Sequence, residues 1–405
     1  MNPFRVLLTL PLLVAFQSAG YATPQFTKQI LTDQYYCDGI NAGDINGDGH
    51  LDVVAGPFWY EGPELKEAHA FYPPESFELP PSPTNSMFSY VYDFDSDGWQ
   101  DILVFGRVHK HEAYWYQNPG KESVENKEQS WEKHFVFFRI QGESPPFMDV
   151  DGDGRPEIVS HWENYWGLIK PDPNYPTLPW KFYPFSEKGS WDKFYHGTGV
   201  GDINGDNRLD IILTEGWYEQ PARKGGSWKK HAYEFIDVDL GGAQMFAYDV
   251  DGDGDNDVVT ALDGHGWGFA WFEQIPGKKR GTLTFRKHII MGSRDEEAKY
   301  GVAFSQPHAV EMADMDGDGL MDIITGKRRW AHGPEGDVEP NAAPVIYWFQ
   351  LERTQGGSAR FHPRLIDDWS GLGVQITVKD VNNDNRPDVL AASKLGSFVF
   401  FNRAD

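Results

Sequence analysis

The chain has 405 residues, a formal net charge of −25 at pH 7 and an aromatic content of 15%. That much negative charge makes nucleic acid and anionic membrane surfaces poor candidate partners, and no nucleic acid partner is expected; the aromatic content argues against a disordered acidic chain. Cys37 is the only cysteine, which excludes an intrachain disulfide.

In chain order, residues 1–22 read as a signal peptide. Arg5 precedes the apolar run "VLLTLPLLVAF", and small residues then lead to an expected cleavage after Ala22. The run is shorter than the about 20 residues that cross a bilayer. The expected product is exported, periplasmic or secreted, without a membrane span. Next comes "FTKQILTD" (Phe26 to Asp33), a strand-like segment that stands before any repeat.

The repeats begin with "GDINGDGHLDVV", which places Asp44, Asn46, Asp48 and Asp52 in one turn. The pattern returns as Asp93, Asp95, Asp97 and Asp101, then as Asp149, Asp151, Asp153 and Glu157. Asp202, Asn204, Asp206 and Asp210 follow, and after them Asp249, Asp251, Asp253 and Asp257. The last two copies are Asp314, Asp316, Asp318 and Asp322, and Asp380, Asn382, Asp384 and Asp388. Oxygen donors at positions one, three, five and nine suit a hard cation such as Ca²⁺. Position six must turn sharply; it is glycine in five copies and Asn207 or Asn385 in the others. Those two copies are expected to bind most weakly. No copy has glutamate at position twelve, so these are not EF-hands. Up to seven structural Ca²⁺ ions are the expectation.

Each loop lies between two short β-like runs such as "GTGVGD" and "LDIILT". An aromatic run follows ("GWYEQP", "IYWFQ"), then a run carrying Lys or His ("WKKHAYEFI", "FRKHIIMG"). Four strands every 47 to 66 residues predict an all-β, seven-bladed β-propeller over residues 23–405. The last repeat stops after three strands at "FFNRAD". The segment Phe26 to Asp33 is expected to supply its fourth and close the ring.

The loops resemble the FG-GAP or VCBS repeats of integrin-α-type propellers across nearly all of the mature chain. More narrowly, "YHGTGVGDINGDNRLDIILTEGWYEQP" and "FSQPHAVEMADMDGDGLMDIITGKRRWAHGP" resemble the propeller of the aldos-2-ulose dehydratase family and related exported bacterial proteins. This resemblance implies removal of water from a 2-keto sugar such as 1,5-anhydro-D-fructose.

Propeller geometry puts the starts of first strands and the ends of second strands on one face, opposite the loops. Six residues before each loop stand Asp38, Met87, Glu143, His196, Ala243, His308 and Val374. Second-strand ends add His161, Glu215, Asp263, His265, Lys327, Arg328, His332 and Lys394 to that face, with His109 and His111 in a neighbouring loop. His134, His231 and His288 recur at one outer-strand position and read as architecture, with His362 nearby. His69 fits no pattern.

Two functions follow. The first is a carbon–oxygen lyase (a dehydratase) acting on a keto sugar. It needs a base, an acid and a charge that holds an enolate. The catalytic candidates are His196, His308, Glu143, His332, Lys327, His265, His161 and Asp38. Trp217, Trp267, Arg328 and Glu215 are candidates for binding the substrate, and a divalent metal at the mouth is a candidate cofactor. The alternative is a non-catalytic propeller, integrin-like or lectin-like, that binds glycan or protein. Convergence of His196, His308 and His332 on one pocket would favour the enzyme.

Overall fold

The computed structural model describes every residue except 1–23, 79–83, 85, 107–111, 122–129, 239–240, 279–281, 355–356 and 404–405. The expected signal peptide, together with His109 and His111, lies outside the described residues.

The described strands form seven four-stranded antiparallel sheets, each built around one acidic loop. In the first sheet the strands are Ile40–Gly43, Asp52–Ala55, Phe58–Tyr60 and Ala68–Ala70, with the loop between the first two. Second strands such as Asp210–Leu213 and Asp322–Gly326 are buried along their whole length. Their runs of Ile and Val pack against sheets on both sides, so neither face needs to be polar. Fourth strands such as Lys229–Ala232 are mostly exposed, which is why they carry Lys.

The recurring outer histidine has a packing role. The third-strand tryptophans Trp59, Trp115, Trp217 and Trp271 pack on His69, His134, His231 and His288, with centroids 4.4, 4.4, 4.0 and 4.3 Å apart, tilted in the first two pairs and stacked in the last two. Each histidine Nε2 also meets a third-strand polar group: Glu61, Gln117, Glu219 or Glu273. His69, unplaced by sequence, belongs to this series. Trp217 belongs to it too. It is 2% exposed with its face against His231, so it is a core residue and not the sugar platform expected from sequence.

Each sheet is bonded to the next near the channel. The Asp38 N–H donates to Ser86 O, the Tyr90 hydroxyl to Pro145 O and the Glu143 N–H to Tyr195 O. The series continues with Met245 to Thr198, Gln306 to Gly266 and Leu372 to Lys327, and returns with the Val374 N–H on Asp38 O. The arrangement is a β-propeller. Strand Gln25–Thr32 pairs antiparallel with Gly396–Arg403, from Gln25 opposite Arg403 to Thr32 opposite Ser397. It is the outer strand of the sheet whose other members come from the C-terminal repeat. Among the described residues, no helix is long and apolar enough to cross a membrane.

Candidate functional site at the channel mouth

On the face opposite the acidic loops, three sheets deliver histidines to one point. His196 precedes its first strand, Thr198–Gly201, and Gly197 between them has φ +83, a conformation that lets the chain turn from the mouth into the blade. His308 stands at the equivalent place in the sixth repeat. His265 is presented by a tight turn in which Asp263 Oδ1 accepts the N–H groups of His265 and Gly266 (both 2.9 Å). The rings of His196, His265 and His308 are 4.6 to 5.1 Å apart between centroids. One nitrogen from each lies within 4.8 Å of the others.

Glu143 and Arg328 complete the cluster. Glu143 Oε2 is 3.4 Å from His196 Nε2, 3.2 Å from His308 Nε2 and 3.3 Å from Arg328 Nη1. Arg328 Nη1 is also 2.8 Å from His308 Nε2. His196 and His308 are fully buried, and the Nδ1 atom of each has no hydrogen-bond partner. Burial raises the Glu143 carboxyl, but His196, His308 and Arg328 outweigh it and hold the group well below the usual carboxylate range. Burial, reinforced by the Arg328 guanidinium, pushes His308 well below an ordinary imidazole, and burial also lowers His265.

Towards solvent, His332 stacks on His265 at 4.7 Å, and its side chain is 62% exposed. Asp337 Oδ1 lies 2.7 Å from His332 Nδ1 and 3.3 Å from His265 Nδ1. Burial raises Asp337, while its contacts with His265 and His332 win and lower it. Asp38, from the first repeat, accepts from the Tyr35 hydroxyl (2.6 Å) and lies 3.5 Å from the Lys394 ammonium. Burial raises the Tyr35 phenol and lowers Lys394.

Other expected site residues have different partners. Lys327 is fully buried and donates to Ser305 Oγ (2.8 Å), which donates to Val338 O; it anchors the segment that carries Asp337 and is not a rim cation. His161 packs among Trp166, Trp191 and Tyr195, and burial pushes it down to about 4. Glu215 accepts from Trp191 Nε1 (2.8 Å) and the Tyr195 hydroxyl (2.6 Å) in that same aromatic group. Trp267 is half-buried, with the Arg294 guanidinium 5.4 Å from its ring centre. Sequence reasoning missed Asp337 and Tyr35. The first had a signal, since "HGPEGD" sets an aspartate five residues after His332; the second had none.

The acidic loops share one geometry. Position one accepts backbone N–H groups, as where Asp44 Oδ1 and Oδ2 take Asp48 (3.1 Å) and Gly49 (3.0 Å). Position six has positive φ in every copy, from Asn385 at +63° to Gly254 at +98°. Position nine is buried throughout. Burial raises those carboxyls, to about 6 in Asp52 and Asp388 and to about 8 in Asp101 and Asp322.

The FG-GAP-like repeat family matches residues 93–160 and 249–325. No curated protein matches the chain. Similar solved structures include an Agrocybe aegerita lectin described as recognising non-reducing terminal N-acetylglucosamine (17% identity, 86% of this chain and 82% of that one, TM-score 0.47). Others are the V. cholerae biofilm matrix protein Bap1 (17%, 72% and 40%, 0.33) and the rhamnogalacturonan lyase YesW (12%, 93% and 72%, 0.41). The chain is a β-propeller that carries FG-GAP-like repeats.

Proposed function

We propose that the protein is an exported, calcium-stabilised, seven-bladed propeller whose mouth holds a divalent metal and removes water from a keto sugar such as 1,5-anhydro-D-fructose or an aldos-2-ulose. The observation that carries this reading is the meeting of three imidazoles, with one nitrogen each of His196, His265 and His308 within 4.8 Å of the others. Three imidazole nitrogens at one point match the donor set of a transition metal, and a buried imidazole nitrogen without a partner, as at His196 Nδ1, is costly. Arg328 Nη1–H donates to His308 Nε2, which leaves the His308 proton on Nδ1; with the His196 proton on Nε2, that N–H faces the Glu143 carboxylate and the His196 Nδ1 lone pair is left for a metal. This is the arrangement by which a carboxylate fixes ligand tautomers. Glu143 is then a positioning residue rather than the base.

A metal bound there would polarise a substrate carbonyl as a Lewis acid. The chain itself supplies the proton transfer. His332, exposed and oriented by Asp337 through Nδ1, takes the acidic C–H proton next to the carbonyl. The electron pair forms the C=C bond, the C–O bond of the β-hydroxyl breaks, and that oxygen leaves as water with the proton that His332 took and returns to it. The half-buried Trp267 offers the rim an apolar face for the sugar ring.

The complete burial of His196 and His308 favours a second reading, in which the metal is structural and the rim binds glycan. Metal content and turnover separate the two. We expect about one transition metal per chain, lost in His196→Ala and retained in His332→Gln, with keto-sugar turnover lost in both. Metal retained in wild type with no turnover supports the binder. No metal at the mouth in wild type rejects the reading.

A further inference from the structure

The third acidic loop differs from the other six at three residues that act together. Continuing each register between second and third strands by one residue sets loop position nine against Glu61, Gln117, Lys170, Glu219, Glu273, Gln350 and Phe401 in successive repeats. Only the third repeat puts a cation there. Its loop is also the only one with glutamate, Glu157, at position nine.

The third difference explains the first two. In six repeats one position-nine oxygen accepts a backbone N–H from the residue after that third-strand position. The donors are Gly62, Asn118, Gln220, Gln274, Leu351 and Asn402, at 2.7 to 2.9 Å. In the third repeat the residue is Pro171, which has no N–H. Glu157 Oε2 keeps the bond shared by every copy, accepting from Val150 (2.8 Å), and Oε1 turns instead to Lys170 Nζ at 2.9 Å. The same ammonium is 2.6 Å from Asp151 Oδ2 and 3.1 Å from Asp153 Oδ2. Lys224 adds a second positive charge at 3.7 and 3.8 Å. Three carboxylates from positions three, five and nine thus converge on a lysine nitrogen, where a cation-binding loop would converge on its ion.

We infer that Lys170 is the permanent cation of the third loop, which therefore binds no calcium. Glutamine at the same position, as in the second and sixth repeats, carries no charge and has a carbonyl oxygen to offer an ion. Lysine has three donors and no acceptor, and its charge repels a divalent ion from the same carboxylates. This identifies a different exception from the one expected of the asparagine-bearing fourth and seventh loops. The inference rests on the reading that the other loops hold calcium.

The test counts bound calcium by native mass spectrometry for wild type, Lys170→Gln and Lys170→Gln/Asp151→Asn, with melting temperatures in EDTA and in calcium. We expect Lys170→Gln to bind one more ion per chain than wild type and the double variant to return to the wild-type count. In EDTA, Lys170→Gln should melt roughly 5 °C lower, because three carboxylates lose their counter-charge, and calcium should restore the loss. An unchanged, non-zero count overturns the inference, and so does an unchanged melting temperature in EDTA. Zero ions in all three proteins rejects the calcium reading instead, and the EDTA comparison then decides by itself whether Lys170 is the loop's cation.

Discussion

In the proposed chemistry, individual side chains at the mouth divide into those that hold and those that react. Glu143 contacts two imidazoles and a guanidinium, so Glu143→Gln keeps the shape and removes the charge that fixes the His196 tautomer. It should weaken metal affinity about 10- to 100-fold, read by competition with a chelator, while leaving the fold intact. His332→Gln should lower turnover about 10²- to 10⁴-fold with metal content unchanged. Lys327 tests the ionisation of a group away from the histidines. Burial lowers it to about 8, against an ordinary 10.5, with Glu339 and Asp337 raising it and Arg294 and Arg329 lowering it. The folded state therefore binds fewer protons than the unfolded state between those two values, so this group's contribution to stability rises with pH across that window. Below about pH 8 the cost of burying the charge is constant. Wild type should gain about 2–3 kcal/mol relative to Lys327→Met between pH 8 and 10.5 in urea titrations; parallel curves would contradict the assignment. His196 and His308 were legible in the sequence because both stand six residues before a loop whose position in the blade is fixed. His161 and Lys327 share the face by the same counting, but the backbone position of a strand end does not set the direction of its side chain. Neighbouring aromatics claimed the first and Ser305 the second.

The loop and its two flanking strands are the element the sequence describes best. Spaced carboxylates and a position-six glycine or asparagine predict a positive-φ turn, and all seven copies have one. What sequence spacing did not reveal is how position nine works: its two oxygens collect backbone N–H groups from the loop and from the third strand. In the second repeat Asp101 accepts from Phe94 (2.9 Å) and Asn118 (2.8 Å). Asp101→Ala would leave two buried donors unpaired and should cost about 3 kcal/mol even in EDTA, since each such donor costs about 1–3 kcal/mol. A urea midpoint in EDTA equal to that of wild type would show that the residue serves only an ion. The recurring Trp–His contact was half legible. The histidine period marked it as architecture, but its tryptophan partner became visible only when the third and fourth strands were paired, and that pairing moved Trp217 from the proposed site into the core.

Across the whole molecule, the strand Gln25–Thr32 covers the edge of the C-terminal sheet, far away in sequence. Sequence patterning anticipated this strand because the last repeat lacks a fourth run of its own. Gln29→Pro, which removes an edge-strand N–H and fixes φ, should lower the melting temperature and raise aggregation by exposing the strand Gly396–Arg403. Equal melting and solubility would show that the strand contributes little to closure. The sequence of bonded neighbours from Asp38 around to Val374 explains how residues more than 100 positions apart, such as Glu143 and Arg328, meet at one point. The most direct test of the proposed chemistry is ultraviolet absorbance of purified mature protein mixed with 1,5-anhydro-D-fructose in calcium buffer. The account predicts a growing enone band that is absent with a His196→Ala variant of unchanged melting temperature. No band with wild type, including after addition of zinc or manganese, would contradict it.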